Sequence, residues 1–313
     1  RSAFQKVVSD RRELLTSDER DALAMYERAA SLTAANGGYA VPFTLDPTVI
    51  DTGAHSTNPF RQISRVVQTT TNSWNGVTSA GVTASWDAEA AEVSDDAPTL
   101  AQPSIPTFKG QAFVPFSVEI GGDWAGMEAE VRRMIAVAKD DLEGAAFATG
   151  GGVSAPQGIV TALDGTASEI APTTAETFAI ADVYKVETAL KASARANASW
   201  VANKAWYNAI RQFDTQGGAG LWERVGARQP AELLGYPAYE SSDMDGVLPN
   251  AAVNADNFGL VLGDFGNGYI IVDRVGLNVE LVPHLFGANQ RPTGQRGFLA
   301  WWRVGAECVD VSS

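Results

Sequence analysis

Residues 107–120 alternate in character over an unusual length, and this pattern constrains the fold more than any other feature of the chain. A period of two is typical of a β-strand, whose successive side chains point to opposite faces. One face carries Phe108, Gly110, Ala112, Val114, Phe116, Val118 and Ile120, and the other carries Thr107, Lys109, Gln111, Ser117 and Glu119. The sequence therefore predicts one long strand.

A second alternating stretch, residues 82–88, precedes this strand, and an acidic segment from Asp87 to Asp96 separates the two. We therefore predict an extended hairpin over residues 73–111. At roughly 3.3 Å per residue, such a hairpin reaches several tens of Å from the body of the protein, well beyond an ordinary loop. A lone subunit cannot cover this projection, so the pattern indicates that neighbouring copies cover it.

Residues 127–149 are predicted to form one long amphipathic helix, about 35 Å in length at 1.5 Å per residue. Its apolar stripe consists of Met127, Val131, Met134, Ile135, Ala138, Leu142, Ala145 and Ala146. Glycines 150–152 are predicted to end the helix. Asp140 and Asp141 are predicted to lie on its solvated face, because adjacent residues of a helix do not face each other.

The other periodic segments predict an α+β fold, with helices in the middle of the chain and antiparallel strands towards both ends. The predicted helices are residues 18–32, 180–194 and 203–213. The predicted strands are residues 61–70, 199–202, 259–262, 268–274, 277–282 and 298–309.

Composition excludes several classes of protein. The net charge of −14 argues against a protein that grips nucleic acid, since such affinity comes mostly from Lys and Arg at phosphates. A single cysteine, Cys308, excludes an internal disulfide, and its alternating surroundings indicate a buried structural thiol. No apolar run approaches the ~20 residues that cross a bilayer, so no membrane partner is predicted.

No motif for catalysis, cofactor binding or metal binding is found. His55 and His284 are the only histidines, and neither has a metal-ligand partner at helical spacing. The tripeptide Asp264-Phe265-Gly266 occurs in kinases, but the other kinase motifs are missing, and no nucleophile elbow is present. We therefore predict that the protein is not an enzyme and has no cofactor.

Several motifs, taken in order, resemble the major capsid proteins of tailed bacteriophages, which have the Hong Kong 97 (HK97) fold. The motifs are Gly37-Gly38-Tyr39-Ala40-Val41-Pro42, the hairpin with Trp86 and Glu89, the helix ending in Phe147-Ala148-Thr149-Gly150-Gly151-Gly152, Ala155-Pro156-Gln157-Gly158-Ile159, residues 182–194, Trp200-Val201-Ala202-Asn203, Leu234-Gly235-Tyr236-Pro237-Ala238 and Gly263-Asp264-Phe265. Their order and spacing carry the resemblance, which covers nearly the whole chain.

The resemblance implies a particular division of the chain into domains. Residues 1–60 would form an N-arm, and residues 73–112 an extended loop. A peripheral domain with the long spine helix would comprise residues 61–72, 113–172 and 274–313, and residues 173–273 would form the axial domain. The loop at residues 216–228 would lie near the centre of a capsomer.

The resemblance also implies partners. The chain would assemble with itself into hexamers and pentamers of an icosahedral shell around packaged double-stranded DNA, in the virion, after assembly in the host cytoplasm. DNA would be held without sequence specificity, because an acidic wall lets it slide. A portal protein, a decoration protein, and a prohead protease that removes a scaffolding segment would be further partners, and a start at Arg1 is what that removal would leave.

Some members of the family cross-link through an isopeptide bond from a lysine in the extended loop, and this sequence departs from that pattern. No Lys or Arg occurs from Trp74 to Phe108, and Trp301 and Trp302 stand where the promoting Glu is expected. We therefore predict a shell held by non-covalent contacts. The residues expected at contacts between subunits are Leu23, Tyr26, Arg28, Trp74, Trp86, Asp87, Glu89, Phe108, Lys109, Leu221, Trp222 and Arg224.

Two alternatives remain open on the sequence alone. An encapsulin, a bacterial nanocompartment shell of the same fold, would share most of these features, but the start without Met and the long hairpin disfavour it. An acidic hydrolase with two catalytic carboxylates is disfavoured because the chain has neither a nucleophile motif nor a secretory signal. For Trp86, packing within its own sheet and contact with a neighbour are equally compatible with the pattern.

Overall fold

The structure is a computed structural model, and it describes residues 18, 53, 55–79, 81–86, 89, 92, 97–119, 126–175, 177–214, 222–223, 232–249 and 257–311. The chain divides into two units, Arg1–Val49 and Ile50–Ser313. All the described residues except Asp18 belong to the second unit. The helix predicted over residues 18–32 lies, apart from the helical Asp18, outside the described residues.

The described residues contain helices and strands in a mixed order, which confirms the α+β prediction. The helices are α1 (Phe60–Ile63), α2 (Met127–Thr149), α3 (Ile159–Leu163), α4 (Ile180–Ala189), α5 (Lys204–Asp214) and α6 (Phe265–Gly268). The strands are β1 (Arg65–Gln68), β2 (Ser73–Asn75), β3 (Thr78–Ser79), β4 (Leu100–Ala101), β5 (Ser104–Pro106), β6 (Phe108–Ser117), β7 (Ser199–Ala202), β8 (Trp222–Glu223), β9 (Glu232–Leu233), β10 (Tyr236–Glu240), β11 (Leu260–Gly263), β12 (Tyr269–Val282) and β13 (Gln295–Cys308).

The first sheet has four strands in the order β1-β12-β13-β6. Strand β6 confirms the predicted alternation, since its even-numbered residues from 108 to 116 are partly buried and its odd-numbered residues from 109 to 115 are exposed. The buried face of the sheet packs on helix α2, where Met127, Val131 and Ile135 contact a cluster that includes Phe298 and Ala300. Phe116 stacks on Phe298 with ring centroids 5.1 Å apart.

The second sheet has five strands in the order β11-β7-β10-β9-β8. Strand β7, which lies between β11 and β10, is buried along its whole length, because helices α4 and α5 pack beside it. The indole of Trp200 is completely buried, and its Nε1 donates a hydrogen bond of 2.9 Å to the carbonyl of Leu233. This bond joins β7 to β9 across the strand between them.

The expectation of antiparallel strands towards both ends of the chain is wrong for β1, which runs parallel to β12. In the middle of the chain, strand β10, which is not among the predicted strands, runs parallel to β7. In both cases the two strands are far apart in the sequence, so no hairpin turn fixes their direction. Helix α1 also replaces the first residues of the strand predicted over 61–70.

A buried aromatic cluster joins the first sheet to helix α2 and to α1. Phe60, Phe147 and Tyr269 are each completely buried, and the rings of Phe60 and Phe147 meet edge-on with centroids 6.5 Å apart. The hydroxyl of Tyr269 donates to the carbonyl of Gln157 at 2.6 Å. Burial raises the pKa of Tyr269, so its hydroxyl keeps the proton that this bond requires.

Helix α2 has the predicted bounds, but its buried face differs from the predicted stripe in the second half. Ala138, Leu142 and Ala145 are exposed, whereas Glu143 and Gly144 are buried. The first half of the helix packs on the first sheet, while the second half packs against residues that precede and include α1. The helix ends at Thr149, and the next residue, Gly150, is extended. Glycine is needed at position 150 because a Cβ there would lie 2.1 Å from the carbonyl oxygen of Pro156.

Candidate assembly interface

The base of the predicted extended loop is fixed to the first sheet. Strands β2 and β5 pair antiparallel, with Trp74 opposite Ile105. Ile105 is completely buried against Ile270 and Val272, and the half-buried Trp74 packs against this cluster. The ring of Trp74 also lies over Gly76, where a Cβ would be 2.3 Å from the indole. The loop therefore leaves the body in a defined direction.

Beyond this base the loop has much less regular pairing than the sequence predicts. Strands β3 and β4 pair over two residues each. Residues 81–86 contain no strand, so the strand predicted over residues 82–88 is wrong for 82–86, and residues 87 and 88 lie outside the described residues. The physical reason is that the pattern of alternation does not by itself supply a partner strand.

The described outer part of the loop exposes large apolar side chains. Trp86 is fully exposed at 104%, and Val77, Val82 and Leu100 are each more than 60% exposed. The reading in which Trp86 packs within its own sheet is therefore wrong. Glu89 and Glu92 follow it and are exposed as well. The loop thus combines bare apolar surface with negative charge.

Three cations lie together at the base of the loop, on the sheet face opposite helix α2. Lys109 on β6 is directly opposite Arg303 on β13. Arg303 Nη1 donates to Asn72 Oδ1 at 3.1 Å, and Arg274 Nη1 donates to the same oxygen. No carboxylate among the described residues forms an ion pair with any of the three. We call Lys109, Arg274 and Arg303 the cationic cluster.

An amide and a carboxylate are adjacent on the same sheet face, and sequence reasoning missed this pair. Asn278 Nδ2 donates to Glu280 Oε1 at 2.8 Å, and Trp301 Nε1 reaches the same atom at 3.3 Å. Their i and i+2 spacing on a strand was the available signal. Asn278 is opposite Trp301, which is opposite Gln111 on β6. Lys109 is opposite Arg303 instead, so it is not in register with the amide of Asn278.

The segment that leads into α1 is bound to the second half of helix α2. His55 Nδ1 lies 2.8 Å from Asp141 Oδ2, and the backbone N of Ser56 donates to Asp141 Oδ1 at 2.7 Å. Asn58 Nδ2 donates to Asp140 Oδ1 at 3.1 Å. The expectation of a solvated face is therefore confirmed for Asp140, which is exposed, but not for Asp141, which is half-buried because residues more than 80 positions earlier contact it. Hydrogen bonds from His55 and Ser56 outweigh the opposing effect of desolvation and lower the pKa of Asp141.

A network of four charged side chains lies next to this segment. Glu143 is 2% exposed, and its two oxygens lie 2.8 Å from Arg61 Nε and 2.8 Å from Lys139 Nζ. Arg61 also forms a two-bond contact with Asp273, at 2.9 and 3.0 Å. Burial opposes the charge on Arg61, but the hydrogen bonds to Asp273 and Glu143 outweigh it and raise the pKa of Arg61. The network joins α1, α2 and β12.

The fold agrees with what the comparisons with known proteins find. A sequence profile of the phage capsid family matches residues 37–313. The chain belongs to the phage capsid family. A search of curated proteins finds no match.

Solved capsid structures are similar to this capsid chain. The capsid of a native GTA (gene transfer agent) particle, computed with C5 symmetry, is 30% identical with a TM-score of 0.76, over 90% of this chain and 96% of that one. The capsid of an empty GTA particle is 30% identical with a TM-score of 0.73, over the same shares. A chain of Microbacterium phage Oxtober96 is 14% identical with a TM-score of 0.65, over 89% and 93%, which shows the shared fold.

The capsid chain is a major capsid shell protein with the HK97-like fold, a structural protein of the virion. Its predicted contact residues are only partly described. Trp74 and Phe108 are half-buried at the loop base, and Trp86, Glu89 and Lys109 are exposed. Trp222 belongs to β8, but its side chain is not described. The remaining predicted residues, which are Leu23, Tyr26, Arg28, Asp87, Leu221 and Arg224, lie outside the described residues.

The capsid chain also has a cavity of about 900 Å³, lined by residues of α3, α4, β11 and β12. Cys308 is one of its lining residues, and burial raises the pKa of this thiol to about 11. Within the described ranges, no group of three or more His, Cys, Asp or Glu side chains is placed to hold a metal ion. In the same ranges no helix is both long and apolar enough to span a membrane.

Proposed function

We propose that this chain is the mature subunit of a tailed-phage or gene-transfer-agent head, and that it assembles as hexamers and pentamers into an icosahedral shell. The observation that carries the proposal is the loop that presents Trp86 and its apolar neighbours to solvent in the isolated subunit. Such surface is stabilised when a second copy removes it from water, at about 25 cal/mol per Å². The fivefold symmetry of the similar GTA capsids supports the pentamers.

The proposed contents of the shell are double-stranded DNA, bound without sequence preference. A net charge of −14 supports this, because a wall that repels phosphates lets the packaged polymer move. An encapsulin-like role with an enzyme as cargo is not favoured, since the similar structures are capsids of phages and GTA particles. Extraction of nucleic acid from purified particles distinguishes the two contents.

Further partners follow from the proposed role in a phage head. They are a portal protein at one vertex, a prohead protease that removes a scaffolding segment, and a decoration protein on the outer surface. Assembly would take place in the host cytoplasm. The proposed subunit acts mechanically, without catalysis or a cofactor, and the proposed contacts between subunits include the residues predicted from the sequence: Leu23, Tyr26, Arg28, Trp74, Trp86, Asp87, Glu89, Phe108, Lys109, Leu221, Trp222 and Arg224.

Substitution of Trp86 tests the proposal. Because Trp86 is fully exposed, Trp86→Ala should leave the thermal unfolding of the free subunit unchanged. Electron microscopy and sedimentation should show that the parent chain forms shells and that the variant forms markedly fewer. The matched control is Val153→Ala, since Val153 is 88% exposed on the turn after α2 and should leave assembly intact. A parent chain that stays a small oligomer under assembly conditions would refute the proposal.

A further inference from the structure

The cationic cluster is an unusual arrangement for the surface of a strongly acidic subunit. Lys109 and Arg303 occupy directly opposite positions on neighbouring antiparallel strands. Side chains at such positions have Cβ atoms about 4.5–5.5 Å apart, and like charges there destabilise the sheet. Arg274 adds a third positive charge, because it shares the Asn72 oxygen with Arg303.

Among the described residues, the only side-chain hydrogen-bond acceptor of Arg274 and Arg303 is a neutral amide oxygen, that of Asn72. Asn72 carries no charge and therefore cannot neutralise the two guanidinium groups. Elsewhere in the same region the chain pairs its cations with acids, as it does for Arg61 with Asp273 and Glu143. The cluster is thus a positive surface in which Asn72 holds the two guanidinium groups, and no carboxylate among the described residues pairs with its three charges.

The extended loop, whose base lies beside the cluster, carries the complementary negative charge. The sequence from Trp74 to Phe108 contains no Lys or Arg, and Asp87, Glu89, Glu92, Asp95 and Asp96 all fall within it. Glu89 and Glu92 are exposed, and neither forms an ion pair with the cluster of its own subunit. A second copy of the same chain offers the same acidic loop.

We propose that the cationic cluster of one subunit is the docking site for the acidic loop of a second copy, with Glu89 and Glu92 among the carboxylates that it receives. This inference rests on the proposed assembly and adds a specific pair of surfaces to it. Complementary charges bring two partners together and fix their register, while juxtaposed like charges reject wrong arrangements. Burial of the exposed apolar loop residues then stabilises the contact.

Charge reversal on both surfaces tests the docking site. Lys109→Glu combined with Arg303→Glu should lower the yield of shells about tenfold or more, because like charges then meet at the contact. Adding Glu89→Lys and Glu92→Lys should restore much of the yield, since opposite charges meet again. Arg291→Glu is the matched control, because Arg291 is exposed in the turn before β13 and outside the cluster, and it should assemble as the parent does.

The neutral pair Lys109→Gln with Arg303→Gln provides a second measurement that does not depend on rescue. Salt screens exposed charges, with a Debye length of about 10 Å at 0.1 M. Assembly of the parent should therefore weaken as salt rises from low concentration, and assembly of the neutral variant should depend on salt much less. Circular dichroism of each free subunit shows whether the variant folds. A variant that does not fold would fail to assemble for that reason alone, and the reversed acidic loop would not rescue it.

Three outcomes would overturn the inference. The first is a reversed cluster that assembles at the parental yield. The second is a loss of assembly, in a folded variant, that the reversed acidic loop does not repair. The third concerns the neutral variant: if its shells form at the parental yield and with the parental dependence on salt but contain less DNA, the cluster binds phosphates instead of a neighbouring subunit. A parent chain that forms no shells contradicts the proposed function itself, so the two failures are distinguishable.

Discussion

Asp182 shows how one carboxylate can order a turn and the helix that follows it. Its two oxygens accept hydrogen bonds from the backbone N of Thr173 at 2.7 Å and of Ala179 at 2.8 Å, ahead of helix α4. Burial opposes its ionisation, but these bonds and the charge of Lys185 outweigh that effect and hold the pKa of Asp182 below its usual value. The ionised side chain therefore stabilises the fold.

We expect Asp182→Asn to destabilise the subunit by about 1–2 kcal/mol at pH 7, because the amide offers only one acceptor oxygen. A carboxylate with a lowered pKa stabilises above its unfolded value of about 3.9, and this contribution is lost as pH falls through the folded value. The difference between parent and variant should shrink accordingly between pH 5 and the most acidic pH at which both fold. Denaturant titrations measure it, with the exposed Asp164→Asn as control.

Cys308 should be unreactive in the folded subunit. Its pKa is raised to about 11, chiefly because burial disfavours the thiolate, so very little of the nucleophilic form exists at pH 8. Iodoacetamide at pH 8 should modify the folded protein far more slowly than the urea-unfolded protein, as mass spectrometry would show. Equal rates in the two states would contradict this expectation.

Individual residues also mark the limit of sequence reasoning. Glu143 looks like a solvated residue of an amphipathic helix, yet it is 2% exposed. Its position depends on Arg61, which is 82 residues away in sequence, and no local pattern reports such a partner. The same holds for Asp140 and Asp141, whose partners come from residues 55–58. Periodicity finds the apolar part of a helix face but not the ion pairs that let charges join it.

At the scale of elements, the network around Arg61 joins three parts of the chain. We expect Arg61→Met to cost about 3–5 kcal/mol of stability, because it leaves Asp273 without its cation and Glu143 with Lys139 alone. Arg132→Met is the control, since its ion pair with Glu128 is exposed and worth under about 1 kcal/mol. Calorimetry of both variants measures the contrast, and equal losses would contradict the assigned role of the network.

The elements that the sequence predicts best are those with a long, unbroken period. Helix α2 has the predicted bounds, and strand β6 alternates as predicted. The outer part of the extended loop is different, because residues 82–86 alternate but find no partner strand in the described structure. The parallel pairing of β1 with β12 is likewise a tertiary choice, which the sequence of either strand alone does not encode.

At the scale of the whole molecule, the chain predicts a shell without covalent links between subunits. Lys109 is at the loop base on strand β6, and Asn278 already donates to Glu280 on the same sheet. Mature particles boiled in detergent should therefore run as a single band of 33.1 kDa. A ladder of multiples of that mass would contradict the prediction. Asn278 and Glu280 would then be the candidate amide and promoting carboxylate of the covalent link.

The family and its fold could be read from the order of motifs along the chain, and the domain boundaries stay a prediction. The candidate interface could be predicted only in part. The exposed loop and its acidic character are visible in the sequence, but the cationic cluster requires Lys109, Arg274 and Arg303 to come together from three strands. Whether residues of separate strands come together in this way depends on the register of the sheet, which cannot be predicted from the sequence of each strand alone.

The hydrogen bonds between residues 55–58 and helix α2 have a mechanical consequence. Tension applied to the chain before Gly53 reaches the bonds of His55 and Ser56 to Asp141, and of Thr57 to Ser242, before it reaches the buried ring of Phe60. Force on the preceding chain would therefore load these bonds to helix α2 and to Ser242 first, and the aromatic core that contains Phe60 would be loaded only after they break.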